Sequence, residues 1–357
     1  MKTTVLILLL AAVDLHAVDF HLYAPSSSAR QLVIVNATVQ GNDLGLTIAA
    51  RVPLGFPAMS IVAHPQRPLL YVAGDVGADG VSGAVVTLTA DGGYATHTTV
   101  VMQQSSCYLS LDRNQRFLLN ASYGGQVSVY PLDTNGQPGA RVTTRDDGRP
   151  EAHAILATPD NRFVYVPYVK GYNALLQFRF DEQTGALSPL VPFNAEPPAG
   201  TGPRHLVHHP NLPLLYASNE QHLGVSVYAR GPDGQLTLRQ LCDAVPPETP
   251  KDGVSSSDLV LTPDVRFLFA AIRGHSRAFD WIARYRVQND GALTLLGLTP
   301  TDKVPWSLTL SPDGRFLLVT AFEGATLVAY RIGQEGDLVR AACLAWDKQI
   351  MDLVSRP

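Results

Sequence analysis

The sequence predicts an all-β, seven-bladed propeller with four antiparallel strands per blade, and three observations carry that expectation. A turn-then-strand phrase recurs at a steady interval, each interval holds enough strand-like runs for one blade, and glycine and proline are spread along the chain as turn punctuation.

The phrase reads HPQRPLLYVAGD from His64, LDRNQRFLLNASYGG from Leu111, TPDNRFVYVPY from Thr158, HPNLPLLYASNE from His209, TPDVRFLFAAIRG from Thr262 and SPDGRFLLVTAFEG from Ser311. Aligned on the second residue (Pro65, Asp112, Pro159, Pro210, Pro263 and Pro312), the copies lie 47, 47, 51, 53 and 49 residues apart. In the unit around Pro210, Leu206–His208 precedes the turn, Leu214–Ser218 follows it and Val225–Tyr228 makes a third strand. A fourth run, Leu236–Leu238, is opened by Asp233-Gly234, as Leu293–Leu295 is opened by Asp290-Gly291. Four strands in roughly 50 residues is the content of a propeller blade. The strands within Phe20–Asn36 lack a leading phrase, so the C-terminal run Ile350–Val354 is expected to supply their inner strand and close the ring, removing the open sheet edges. Trp346-Asp347 does not recur, which argues against a WD40 array.

With 46% hydrophobic and 16% charged residues among 357, the chain has apolar surface for a large core and too little charge for disorder. Its net charge of −4 offers no cationic footprint for nucleic acid. Cys107, Cys242 and Cys343 are too widely spaced for a zinc site or a disulfide framework, so core burial is expected to supply the stability. Residues 1–17, MKTTVLILLLAAVDLHA, place Lys2 before an apolar run from Val5 to Val13 and end on Ala17, the layout of a secretory signal peptide. That run falls short of the about 20 apolar residues that span a bilayer. The expectation is a leader over 1–17, one domain over 18–357, a periplasmic or secreted monomer, and no stable membrane insertion.

Equivalent positions in the phrases fall at equivalent places in the blades. Six residues before each anchor stand Met59, Ser106, His153, Arg204, Ser257 and Trp306; ten residues after it stand Asp75, Ser122, Val169, Glu220, Arg273 and Phe322. His153, Arg204, Glu220 and Arg273 are therefore expected to converge on one face of the axial channel. Burying one such charge alone costs several kcal/mol, so they should meet each other or a ligand. Trp306 is expected as a stacking wall and His275 as a mouth residue. His205, His208 and His209 are assigned packing or turn roles, and Tyr123 is assigned to packing between blades beside the Gly124-Gly125 turn. The chain carries no HExxH, CxxC or GxSxG motif and no glycine-rich phosphate loop, so neither a metal nor a cofactor is expected.

Gly202-Pro203-Arg204-His205, His209-Pro210 and Leu215-Tyr216-Ala217-Ser218-Asn219-Glu220 together resemble the signature of the seven-bladed propeller lactonase family, which includes bacterial 6-phosphogluconolactonase and fungal carboxymuconate cycloisomerase. Further matches are Ala121-Ser122-Tyr123-Gly124-Gly125, Ala152-His153-Ala154 and Arg273-Gly274-His275. The resemblance covers roughly residues 20 to 355 and implies a metal-independent catalytic cluster of one His, two Arg and one Glu at His153, Arg204, Arg273 and Glu220. It departs from the family at Pro305-Trp306, where relatives often carry Pro-Arg, at Ala154, at Ala321-Phe322-Glu323, and in the segment Ser276–Asp280.

The resemblance implies a small anionic lactone as substrate. His153 would act as general base, since an imidazole titrates near working pH. Arg204 and Arg273 would clamp the anion and stabilise the oxyanion, and Glu220 would orient them. A cycloisomerase would use the same groups to move a proton at carbon, and a non-catalytic exported propeller would use them to hold an anion.

Overall fold

The computed structural model describes residues 18–102, 104–246, 248–275 and 277–357. The expected leader lies outside the described residues, as does Ser276. Among the described residues, 28 strands form seven four-stranded antiparallel sheets, and no helix is long and apolar enough to cross a membrane. Numbered along the chain, blades 2 to 7 begin with inner strands Ala58–Ala63, Tyr108–Leu111, Leu156–Ala157, Pro203–His208, Ser255–Leu261 and Pro305–Leu310. Blade 1 is composite: Val18–Ser26, Gln31–Gln40 and Asp43–Pro53 take their inner strand from the C-terminus.

That inner strand lies slightly later than expected. Val354–Arg356 pairs with His21–Tyr23, and Ile350 joins through a single bridge to Ser26. The stretch between leaves the ladder, which frees Met351 and Asp352 to line the channel.

Strands rich in Val, Leu and aromatic residues bury both faces because each blade packs on two neighbours. One apolar cluster joins Leu214, Tyr216 and Val225 of blade 5 to Leu268, Ala270 and Tyr285 of blade 6; another joins blades 1 and 2 through Ile34, Phe56 and Val72. A repeated latch fixes the spacing between blades. Tyr23, Tyr71, Tyr165 and Tyr216 each donate their hydroxyl to a turn carbonyl of the next blade, at Gly92, Gly136, Gly234 and Gly291, over 2.6 to 2.9 Å. The glycine turns that open the fourth strands therefore also tie the ring.

The recurring phrase folds as a turn held by its own polar residue. His64 and His209 accept backbone N–H groups at Nδ1, while the side-chain oxygens of Asp112, Thr158, Thr262 and Ser311 accept the N–H of the Phe that opens the next strand. Asp112 is thus the counterpart of Thr158, not of Pro159. The sequence alignment placed blade 3 one residue early, and in a strand one residue changes the facing side. The residues of blade 3 that match His153 and Val169 are Cys107 and Tyr123, not Ser106 and Ser122. Ser106 is buried and donates to Asn120.

Candidate active site

The inner strands of blades 5, 6 and 7 share a defect that builds the site. In blade 5, Pro203 pairs with Asn219 and Leu206 with Ala217, so Arg204 and His205 together oppose Ser218. Ser257-Asp258 and Trp306-Ser307 occupy the same bulge, and blade 2 shifts register at Met59. A bulge breaks the alternation of the strand and turns consecutive side chains toward the axis. Except for Ser257, which donates to the Pro305 carbonyl, the first bulge residues face a cavity of about 560 Å³; the second ones in blades 5, 6 and 7 line a neighbouring cavity of about 630 Å³. The backbone is drawn close here: a Cβ on Gly74 would lie 1.9 Å from the Pro57 carbonyl oxygen, so only glycine fits before Asp75.

His153, Arg204, Glu220 and Arg273 all line this cavity, with Met59, Asp75, Cys107, Tyr123, Lys170, His275 and Trp306 among its other walls. Arg204 and Arg273 are 1% and 3% exposed, yet they share one carboxylate. Glu220 Oε2 lies 3.1 Å from Arg204 Nε, off the hydrogen-bond line, and 3.5 Å from Arg273 Nη2, which also donates to the Ser256 carbonyl at 2.9 Å. Two guanidiniums thus share one carboxylate, while Asp75 and Asp352 line other parts of the cavity. The other cation at the mouth, Lys170, is already paired with Glu151 at 3.7 Å and lies 5.3 Å from the Tyr123 ring centroid.

Trp306 lines the cavity and also packs against the site's own residues. One face stacks on Phe322 at 4.6 Å, and the guanidinium carbons of Arg273 and Arg204 lie 4.4 and 5.6 Å from its centroid. It is a platform under the cations. His275 lines the mouth as expected and shares a hydrogen bond with Ser255 at 2.9 Å.

His153 stands edge-on to Tyr123 and His205, with ring centroids 5.7 and 5.3 Å apart, and its buried Nδ1 has no partner. Burial first, then the charge of Arg204 and the neighbouring His205, hold its pKa well below that of a free imidazole. It is neutral at working pH because of these surroundings, where the sequence reading assumed an ordinary imidazole.

His205 corrects its assigned packing role, since it lines the same cavity as Arg204. Its Nδ1 meets Asp258 Oδ1 at 2.8 Å and its Nε2 meets Arg204 Nη1 at 3.2 Å. Burial and Arg204 lower its pKa more than Asp258 raises it, so the contact with Asp258 is a hydrogen bond of a neutral ring and not an ion pair. Burial works to raise the Asp258 carboxyl, but His205, the Leu308 N–H and Arg204 outweigh it and leave the pKa below its ordinary value. Tyr123 likewise lines the cavity, contrary to the packing role expected of it. His209 does keep the turn role. Asp258 and Asp352 escaped sequence reasoning; the bulge pairs each first-position residue with a second one, so stepping one residue on from Arg204 and Ser257 is the signal that finds His205 and Asp258.

Among the described residues, no group of three or more His, Cys, Asp or Glu side chains is gathered to hold a metal ion. The arrangement offers a neutral imidazole and two fixed cations in one cavity.

A family model described as "Lactonase, 7-bladed beta-propeller" matches residues 22–342. Among curated relatives, a 6-phosphogluconolactonase of Cronobacter sakazakii is 30% identical over 318 residues, covering 88% of this chain and 91% of the relative. One of Pectobacterium carotovorum is 31% identical over 325 residues, with 88% and 92% covered. Among solved structures, the Pseudomonas aeruginosa periplasmic gluconolactonase PpgL superposes with a TM-score of 0.82 at 22% identity, over 94% of this chain and 99% of that one. With the ring, the bulged inner strands and this match over most of its length, the chain belongs to the seven-bladed β-propeller lactonase family.

Proposed function

We propose that this protein hydrolyses a lactone carrying a single negative charge or a ring of hydroxyls, in the manner of an aldonolactone, with His153, Arg204, Glu220 and Arg273 as its working groups. The observation that carries the reading is the pair of buried guanidiniums sharing one carboxylate beside a neutral imidazole. Fixed guanidinium forks bind a carboxylate product or an oxyanion with directed hydrogen bonds.

Water attacks the lactone carbonyl while His153 takes its proton. Negative charge gathers on the carbonyl oxygen, where the N–H groups of Arg204 and Arg273 stabilise it without reorganisation, because Glu220 and Trp306 already hold them. The ring C–O bond then breaks, and His153 returns the proton to the leaving oxygen. The hydroxy acid formed releases its carboxyl proton to solvent, and its carboxylate remains against the guanidiniums. The relatives named 6-phosphogluconolactonase and the structure titled a periplasmic gluconolactonase support this substrate class. The leader-like residues 1–17 favour an unphosphorylated lactone met outside the cytoplasm.

Turnover of a panel of aldonolactones by the wild type and by His153→Ala tests the reading. The expected result is hydrolysis with one oxygen from labelled water in the product, and a loss of at least about a thousand-fold in kcat in the variant at unchanged Tm. Wild-type protein inert on every lactone indicates an anion-binding propeller. Ring opening without label indicates a cycloisomerase.

A further inference from the structure

The second bulge residues form a polar chain behind the four groups named above. Arg204 donates through every polar atom of its guanidinium, since that group has no acceptor. The contact at 3.2 Å therefore requires a lone pair on His205 Nε2. The proton of the neutral ring then resides on Nδ1 and points at Asp258 Oδ1, 2.8 Å away. Asp258 is itself surrounded by donors: the Leu259 N–H shares Oδ1 at 2.8 Å, while Oδ2 accepts the Leu308 N–H at 2.8 Å and the Ser307 hydroxyl at 3.1 Å. A carboxylate is the group that satisfies all four.

From this geometry we propose that Asp258 and His205 are positioning residues for Arg204: the carboxylate fixes the Nδ1–H tautomer of His205, whose Nε2 holds Nη1 of the catalytic guanidinium. Glu220 lies beside the Nε edge of Arg204 and His205 holds the Nη1 edge, both within blade 5, while Asp258 anchors His205 from blade 6, so the cation cannot turn on Trp306. The inference rests on the lactonase reading for its kinetic consequence and not for its structural one.

Asp258→Leu removes the acceptor at a similar volume. Nδ1–H of His205 then has no partner, the ring is no longer held in one tautomer, and Nε2 no longer fixes Nη1 of Arg204. In protein labelled with 15N at histidine, with the His205 signals assigned by their loss in His205→Gln, the wild type shows a protonated Nδ1 and a bare Nε2, and Asp258→Leu shows a mixture of the two tautomers. The same variant loses about a hundred-fold in kcat while KM changes by less than about threefold. Ser307→Ala, which also removes a hydrogen bond from Asp258, keeps the wild-type tautomer and kcat within about twofold. A wild-type His205 that is protonated on Nε2 or on both nitrogens overturns the proposal, as does an Asp258→Leu protein with unchanged kcat. Should Asp258→Leu fail to fold, the wild-type tautomer still decides. Wild-type protein inert on lactones defeats the lactonase reading, while the tautomer measurement stands by itself.

Discussion

The two residues of each inner-strand bulge sit side by side in the sequence and lead opposite lives. At the first position and its neighbours, polar atoms are left over: Nδ1 of His153 and Nε of Arg204 and Arg273 are buried with no hydrogen-bond partner. At the second position the groups satisfy one another. Asp258 accepts from the Leu308 N–H, Asp352 from the Ile61 N–H at 2.9 Å and Ser60 from the Leu109 N–H at 2.9 Å, each reaching into the next blade around the ring. Ser307 lies between Asp258 and Asp352, at 3.1 and 3.3 Å. Buried polar groups left unpaired are costly, so the first ring stores its unmet valence for a ligand, and the second ring uses hydrogen bonds to fix the phase of the blades.

The comparison breaks most visibly where the first ring is also structural. Glu220→Gln leaves two buried guanidiniums facing each other without a counter-charge, and removing one partner from such a cluster costs about 3 to 5 kcal/mol. Chemical denaturation should show that loss together with loss of turnover. Unchanged stability would mean that water, not Glu220, neutralises the pair.

In the second ring, burial and the nearby Asp258 charge push Asp352 up to about 6, against the opposing effect of the Ile61 N–H. Between the ordinary carboxyl value and about 6, the folded protein keeps a proton that the unfolded chain has lost, so stability falls as pH rises through that window and stays lower above it. Asp352→Asn lacks this liability. Relative to wild type it should gain up to about 3 kcal/mol between pH 4 and pH 7, read from Tm or denaturant midpoints at both pH values. A pH-independent difference would place Asp352 in ordinary solvent.

The smallest effect sharpens the first ring. Trp306→Leu removes the platform beneath both guanidiniums while Glu220 still holds them, and should lower kcat about five- to tenfold at nearly unchanged KM, a loss of roughly 1 kcal/mol. An unchanged kcat would show that the ring does not set the cations.

The ring, its blade number and its composite closure were legible because the phrase that starts each blade is a local turn with a fixed polar cap, from His64 to Ser311. The convergence of His153, Arg204, Glu220 and Arg273 on one cavity was legible for the same reason, since equal spacing from equivalent turns places side chains at equal heights. Blade 3 misled because Asp112 caps its turn where other copies use a residue before proline, which hid Tyr123 and Cys107 from the cavity wall. His205, Asp258 and Asp352 were hidden by a deeper cause. Strand alternation puts adjacent residues on opposite faces, and only the bulge, a matter of pairing between strands, turns both inward.

A crystal of this protein soaked with gluconate tests the central claim most directly. The account predicts a carboxylate held jointly by Arg204 and Arg273, with His153 facing the carboxyl carbon from the open side. A gluconate bound elsewhere in the channel, or an empty cavity with both guanidiniums turned away to other partners, would contradict it.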